Sequence, residues 1–207
     1  MVFIKLTFSF LFFFITLTST TSAGVTDANS DYTDLSSHEG NAQGFQFNND
    51  GKKFFVVGKT GDLTQFSLST AYDVSTASHE GEIDIPGQGT GMTGLAFSGD
   101  GAVMFVVNES TDKVHPFTLN TAWNPIGGIA STGTAVSVVS GDNCPTDLQF
   151  NNDGSKLYII GCQGDRVDEY DLTSNYTLNA TMSVARTSLN VSDRNPRAVI
   201  FSPDAVS

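Results

Sequence analysis

Residues 44–58 read GFQFNNDGKKFFVVG, and the phrase returns at residues 94–108 as GLAFSGDGAVMFVVN and at residues 147–161 as DLQFNNDGSKLYIIG. A fourth copy begins at Ala198 as AVIFSPDAVS. The phenylalanines that anchor successive copies are 50, 53 and 51 residues apart: Phe47, Phe97, Phe150 and Phe201. A period of about 50 residues, with two clear strands in each unit, predicts a β-propeller or a related repeat array.

Four strands, A to D, are predicted in each unit. Strands A and B flank an Asp-Gly pair, which is typical of a hairpin because glycine adopts left-handed backbone angles without steric cost. Strand C alternates apolar and polar residues around an aromatic, and its second copy contains Pro116, which fits only where no N–H is needed. Strand D is weaker and is predicted in GEIDI, TAVSVVS and MSVARTSL.

An aromatic residue follows strand C in every unit. Tyr72, Trp123 and Tyr176 hold equivalent positions, and we expect them to cover the C–D corner or to wedge between neighbouring units. Ahead of the first unit, residues 24–43 are polar, and YTDLSS at residues 32–37 is a candidate outer strand. The tetrapeptide SHEG, which begins at both Ser37 and Ser78, supports that alignment.

The predicted fold class is all-β, a propeller of three complete four-stranded blades plus the first strand of a fourth. The blades are predicted at residues 44–90, 91–143, 144–194 and, incompletely, 195–207. Three units do not close a ring, so we expect this to be the N-terminal part of a longer propeller. The alternative is self-association, in which the open sheet edges pair between chains.

Residues 1–23 have the features of a secretory signal peptide. Lys5 supplies the positive charge, residues 8–17 form a short apolar core, and small residues precede the predicted cleavage after Ala23. An uncleaved anchor is the alternative. The chain is therefore predicted to be secreted, with no other membrane contact.

The formal net charge of −12 excludes whole classes of partner. An acidic surface repels phosphate backbones and anionic lipid, so we expect neither nucleic acid nor membrane binding.

The two cysteines, Cys144 and Cys162, flank the third A–B hairpin. With Phe150 opposite Leu157, Cys162 lies opposite Pro145, one residue from Cys144. In an oxidising compartment this register predicts a disulfide that closes the hairpin. The alternative is a pair of buried free thiols.

Three aspartates recur in the B–C loops and are weak candidates for a metal or polar-ligand site: Asp62, Asp112 and Asp165. The simpler interpretation is that Asp favours such turns because it hydrogen-bonds nearby backbone N–H groups. The Asn-Asn-Asp-Gly turns resemble part of a calcium loop but lack its glutamate, so we interpret them as hairpin turns.

Residues 43–207 resemble the secreted YVTN- and lactonase-like β-propeller repeats, through the FNNDGxKxFVVG phrase and the STAYDVSTA segment that follows strand C. The resemblance implies that a central metal, if present, is held at the starts of strand A. Those positions are Gln43, Thr93, Asp147 and Arg197, which do not make a metal cage. No cofactor or metal is therefore expected. The histidines, His38, His79 and His115, have no nucleophile partner in sequence, so no catalytic residue is assigned.

Four Asn-X-Ser/Thr sequons fall in or beside predicted loops: Asn108, Asn175, Asn179 and Asn190. Asn108, which replaces a loop glycine, is the best candidate for glycosylation.

Three functions fit the sequence. The first is a secreted binding or structural module whose loops contact an extracellular protein or glycan, with no catalysis by this segment. The second is part of a lactonase-like propeller hydrolase. The third is a subunit of an extracellular filament or coat.

Overall fold

The strands predicted in each unit lie side by side in one antiparallel sheet, so each repeat is one blade. The computed structural model describes residues 33–138, 144–163, 166–179, 183–185 and 196–201. The first sheet contains β1 (Ala42–Phe47), β2 (Lys53–Gly58), β3 (Asp62–Leu68) and β4 (Ala77–Asp84). The second contains β5 (Met92–Phe97), β6 (Val103–Asn108), β7 (Lys113–Leu119), β8 (Ile129–Thr132) and β9 (Val136–Ser137). The third contains β10 (Pro145–Phe150), β11 (Lys156–Gly161), β12 (Val167–Asp171) and β13 (Ser183–Ala185).

The first strands of the blades pack against one another, with β5 between β1 and β10. One apolar cluster joins blades 1 and 2 through Phe55 and Phe97, and a second joins blades 2 and 3 through Phe105 and Phe150. The all-β, propeller-like prediction is therefore confirmed, although the three sheets do not close into a ring. Residues 196–201 form no strand but lie beside β10, since the Thr146 hydroxyl donates to the Pro196 carbonyl over 3.1 Å.

The A–B links are hairpin turns held by their own polar side chains. Asn48 Oδ1 accepts from the Lys53 N–H at 2.9 Å, and Asp50 Oδ1 accepts from the Lys52 N–H at 2.8 Å. The third blade repeats both bonds, and the second uses serine in place of asparagine. Turn geometry, with Gly51 at φ 67°, therefore accounts for the Asn-Asn-Asp-Gly pattern.

The corner aromatics cover these turns. Tyr72, Trp123 and Tyr176 have positive φ of 53–61°, and each donates its N–H to the carbonyl of the turn glycine in its own blade. Tyr176 also approaches the neighbouring blade, where its hydroxyl oxygen would lie 3.1 Å from a Cβ at Gly99. Both predicted roles, covering and wedging, are present, although the ring covers the A–B turn as well as the C–D corner.

Pro116 lies in β7 and interrupts the pairing of β7 with the outer strand of blade 2. Its carbonyl accepts from the Gly133 N–H at 2.9 Å, so its nitrogen also faces the outer strand. Because that nitrogen carries no hydrogen, the ladder breaks there and the outer strand divides into β8 and β9. The prediction for strand D was thus partly wrong. The observed strand D begins at Ala77 in blade 1 and at Ile129 in blade 2, in segments too polar to be recognised from the sequence.

No outer strand forms within residues 33–37, which corrects the prediction made for YTDLSS. Asp34 Oδ1 accepts from the Ser36 N–H at 2.8 Å, and Leu35 O accepts from the His38 N–H at 2.9 Å, so the chain turns here instead. The first SHEG therefore lies in a turn, whereas the second lies in β4. Residues 1–32, including the predicted signal peptide, lie outside the described residues.

A β-bulge brings the cysteines together. Phe150 pairs with Leu157 as predicted, but the register shifts by one between Asp147 and Pro145. Cys144 thus lies opposite Cys162 rather than one residue away, with the Cα atoms 5.4 Å apart, and the two form a disulfide.

Candidate functional site

The same bulge occurs at the start of strand A in all three blades. It adds one residue to each strand, Gln43, Thr93 and Thr146. The hydroxyl of Thr93 donates to the Pro145 carbonyl at 2.9 Å, and Thr146 makes the corresponding bond to Pro196. Each bulged threonine thus ties its blade to the next one.

Beyond the bulge, the inner strands approach one another closely. A Cβ atom at Gly44 would lie 2.7 Å from the Gly94 Cα, and one at Gly94 would lie 2.8 Å from the Asp147 Cα. No real side-chain carbon fits at such distances, which explains why two of the three positions are glycine. The third position places a carboxyl group in this row.

Asp147 is the strongest candidate for chemistry among the described residues. Its Oδ2 atom accepts the Val199 N–H at 3.0 Å, and burial raises the pKa of Asp147 to about 6, against the backbone hydrogen bonds, which lower it. A carboxyl group that titrates near pH 6 can accept and return a proton at neutral pH, as a general acid–base catalyst must.

The bulge also corrects the alignment of the strand A starts. The expected match of Asp147 with Gln43, Thr93 and Arg197 is wrong by one residue, because Thr146 is the residue that shares the bulge position. Gln43 is exposed and donates to Asn41 Oδ1 at 2.7 Å, and Arg197 is exposed. The expectation that no central metal is held here stays a prediction.

The recurring aspartates have local partners. A hydrogen bond with Asp84, its cross-strand neighbour, raises the pKa of Asp62, and burial raises it further. Asp112 has φ 53° and its carbonyl accepts from the Val138 N–H at 3.0 Å, while Asp165 lies outside the described residues. Within the described ranges, these aspartates belong to no cluster of metal-ligating groups.

Asn108 is not a surface sequon, which corrects the prediction made for it. Its side chain is 0% exposed, and Nδ2, the atom that would carry a glycan, donates to the Gln88 carbonyl at 3.0 Å. Its Oδ1 accepts from the Ser110 N–H at 2.8 Å. Asn175 is exposed, Asn179 Nδ2 donates to the Thr173 hydroxyl at 2.8 Å, and Asn190 lies outside the described residues.

Two histidines that the sequence left unassigned lie together. His38 and His79 are in contact with Glu82, and they form the one group of three metal-ligating side chains found among the described residues. His115 lies elsewhere, with its Nδ1 atom 2.8 Å from Gln88 Nε2.

No helix in the described part of the chain has the length and hydropathy needed to cross a membrane.

Comparison with known proteins supports the fold. No family model matches the sequence, and no curated protein matches it. Among solved structures, the chain is similar to the periplasmic gluconolactonase PpgL of Pseudomonas aeruginosa, with a TM-score of 0.53, 16% identity and coverage of 76% of this chain and 41% of that one.

Two further structures match equally well. A 6-phosphogluconolactonase candidate from Bacteroides uniformis has a TM-score of 0.53 at 17% identity, with 78% of this chain and 44% of that chain covered. A protein of unknown function from Desulfotomaculum acetoxidans has a TM-score of 0.53 at 16% identity, with 79% and 46% covered. This chain thus spans less than half the length of these proteins, and at such identities the similarity establishes the shared propeller-like fold.

Proposed function

We propose that this chain supplies blades of an extracytoplasmic lactonase-type propeller, with Asp147 as the acid–base group of its inner site. The observation that carries the proposal is the position of Asp147 at the inner strand ends together with its pKa of about 6. The structural similarity to a periplasmic gluconolactonase supports a sugar lactone as the substrate class. The disulfide and the apolar leader support export from the cytoplasm.

The proposed reaction is hydrolysis of the cyclic ester. The Asp147 carboxylate takes a proton from water as the water oxygen bonds to the lactone carbonyl carbon. The bond from that carbon to the ring oxygen then breaks, and Asp147 returns the proton to the leaving oxygen. The close approach of Gly94 to Asp147 helps to keep its carboxyl group partly out of water, and this burial is what raises its pKa to about 6.

The test is hydrolysis of glucono-δ-lactone by the purified chain, measured by pH-stat and corrected for the spontaneous rate. We expect the rate to rise with pH through about pH 6, and Asp147→Asn to lower it by about 10²-fold or more. Asp153→Asn, a change at an exposed turn carboxylate, is the matched control. Equal rates for wild type and Asp147→Asn would contradict the proposal.

A second candidate is a binding module for an extracellular glycan or protein. The observation that favours it is Tyr72, which is 59% exposed although its ring packs on Gly51. Exposed tyrosines provide large apolar contact area with a polar edge, as binding surfaces need. A glycan array tests this: binding without turnover that is lost in Tyr72→Ala and kept in Tyr72→Phe would favour the module, and sedimentation of the same sample would detect self-association.

A further inference from the structure

The two SHEG segments bring their histidines into contact. His38 lies at the end of the turn that precedes β1, and His79 lies in β4. Their rings stack with centroids 3.8 Å apart and planes 23° apart. Phe66 supports both rings from β3, at centroid distances of 5.7 Å and 5.4 Å. The stack therefore joins the N-terminal turn to the outer strand of blade 1.

A β-bulge at Glu80 places the Glu82 carboxylate on the same side of the sheet as His79. In a regular strand, residues three apart point to opposite faces. Here His79 pairs with Phe66 and Glu82 pairs with Thr64, and those partners are two residues apart on β3. His79 and Glu82 therefore share a face. Glu80 turns to the other side, where it accepts from Gln65 Nε2 at 2.6 Å and pairs with Lys53.

The three side chains converge at spacings suited to a metal ion. Glu82 Oε1 lies 2.9 Å from His38 Nδ1 and 3.5 Å from His79 Nε2, and one donor atom from each residue lies within 4.8 Å of the others. Ligands about 2.0–2.1 Å from a tetrahedral Zn²⁺ lie roughly 3.3 Å from one another. To bind one ion, the two stacked rings must tilt so that a nitrogen of each aims at the same point, and the contact between His38 and Glu82 must lengthen slightly.

We propose that His38, His79 and Glu82 form a site for a borderline divalent cation of the Zn²⁺ class. Two imidazoles and one carboxylate select Zn²⁺, Co²⁺, Ni²⁺ or Cu²⁺ over Ca²⁺ and Mg²⁺, which prefer oxygen ligands alone. The metal replaces the hydrogen bond between His38 and Glu82. The side chains are 25–38% exposed, so water completes the coordination.

The charge around the site favours a cation. Asp62 in β3 pairs with Asp84 in β4, two residues from Glu82, so two more carboxyl groups lie near the site. This surface of an already acidic chain is therefore negative. Because the ligands come from the N-terminal turn and from β4, a bound metal would clip the turn to the blade and stabilise the folded chain.

The test is a metal titration of the chain, purified with an affinity tag that contains no histidine. Binding of Zn²⁺ is measured by calorimetry and binding of Co²⁺ by visible absorption. We expect saturable binding of one ion and a visible spectrum typical of Co²⁺ with a low coordination number. The melting temperature of the chain should rise with Zn²⁺ but not with Mg²⁺. His79→Gln and Glu82→Gln should each weaken binding by about 10-fold or more. The matched controls, His115→Gln and Glu80→Gln, should leave binding unchanged.

A second measurement needs no variant. In NMR spectra of the imidazole nitrogens of the wild-type chain, Zn²⁺ should shift the signals of two histidines and leave the third in place. Absence of binding up to millimolar free Zn²⁺, or equal affinity of wild type and a His38→Gln/His79→Gln double variant, would overturn the proposal. Lactone hydrolysis is not a readout here, so the two proposals fail independently.

Discussion

Gly94 lies so close to Asp147 that a side-chain carbon at Gly94 would come within 2.7 Å of the Asp147 Oδ1 atom. The inner strands of blades 2 and 3 meet at this contact, and it also partly shields the carboxyl group from water. Packing between blades and the acidity of Asp147 therefore depend on the same glycine.

Replacing this glycine should damage both properties. We expect Gly94→Ala to lower the free energy of unfolding by about 1–3 kcal/mol, because the added methyl group forces β5 away from β10. Gly40→Ala is the matched control, since a Cβ there has no atom within 4 Å. Urea denaturation followed by circular dichroism measures the difference. Equal midpoints for the two variants would show that β5 and β10 accommodate the added methyl group without moving apart.

Asp147 should make stability depend on pH in an unusual direction. Its pKa rises from 3.8 in the unfolded chain to about 6 in the folded one, so the folded state binds the proton more tightly. Its contribution is most favourable below about pH 4, declines as the pH rises to about 6, and stays at its least favourable value above that.

Asp147→Asn removes the charge and keeps an oxygen that can accept from Val199. We expect it to raise the free energy of unfolding by about 1–3 kcal/mol at pH 8 and by much less at pH 4. Thermal unfolding at the two pH values checks this. Asp153→Asn should give no such gain, because hydrogen bonds with Ser155 lower the pKa of Asp153. A gain of equal size at both pH values would point to packing instead of ionisation.

The disulfide should contribute substantially to stability. Cys144 and Cys162 are 18 residues apart, and closing a loop of that size restricts the unfolded chain. We expect the double variant Cys144→Ser/Cys162→Ser to lose about 3 kcal/mol by this loop-closure argument. Wild type measured in dithiothreitol is the control and should match the variant. If reduction has no effect on the unfolding midpoint, the hairpin is fixed by its hydrogen bonds alone.

Strands A, B and C were predictable because their periodicity is local. Phe47 and its equivalents mark strand A, and the Asp-Gly turns fix the hairpin. The bulges at Thr93 and Thr146 were not predictable, because each is held by a carbonyl of the following blade, about 50 residues away. The shift of one residue moved Cys144 opposite Cys162. The place of Asp147 in the row of glycines, by contrast, follows from the repeat alignment, in which Asp147 matches Gly44 and Gly94.

Asn108 shows why a local rule failed. At the matching position in blade 1, a Cβ on Gly58 would lie 2.3 Å from the Glu39 carboxyl carbon, so that space is filled from the N-terminal segment. Glu39 is buried and accepts from the Asn41 N–H at 2.8 Å. In blade 2 the Asn108 side chain itself bonds the adjoining loops. The sequence shows the exchange of glycine for asparagine, but only the packing shows that it points inward.

The corner aromatics should differ in their contribution to the free energy of unfolding, although they hold equivalent positions. Trp123 packs on Gly101 and on Phe97, with ring centroids 4.9 Å apart, and it reaches Phe55 of blade 1 at 6.4 Å. Tyr72 packs on the corresponding turn of blade 1 but is 59% exposed.

We therefore expect Trp123→Ala to cost about 3 kcal/mol of unfolding free energy, near the lower end of the range for large aromatic truncations, and Tyr72→Ala to cost about 1 kcal/mol. Both positions have positive φ, so backbone strain is common to the two variants and cancels in the comparison. Chemical denaturation followed by far-ultraviolet circular dichroism measures both, since Trp123 is the sole tryptophan and its removal abolishes that fluorescence. Equal losses would mean that the ring contributes mainly by covering its turn glycine, whereas the expected ratio assigns most of the energy to the contact that Trp123 makes between blades.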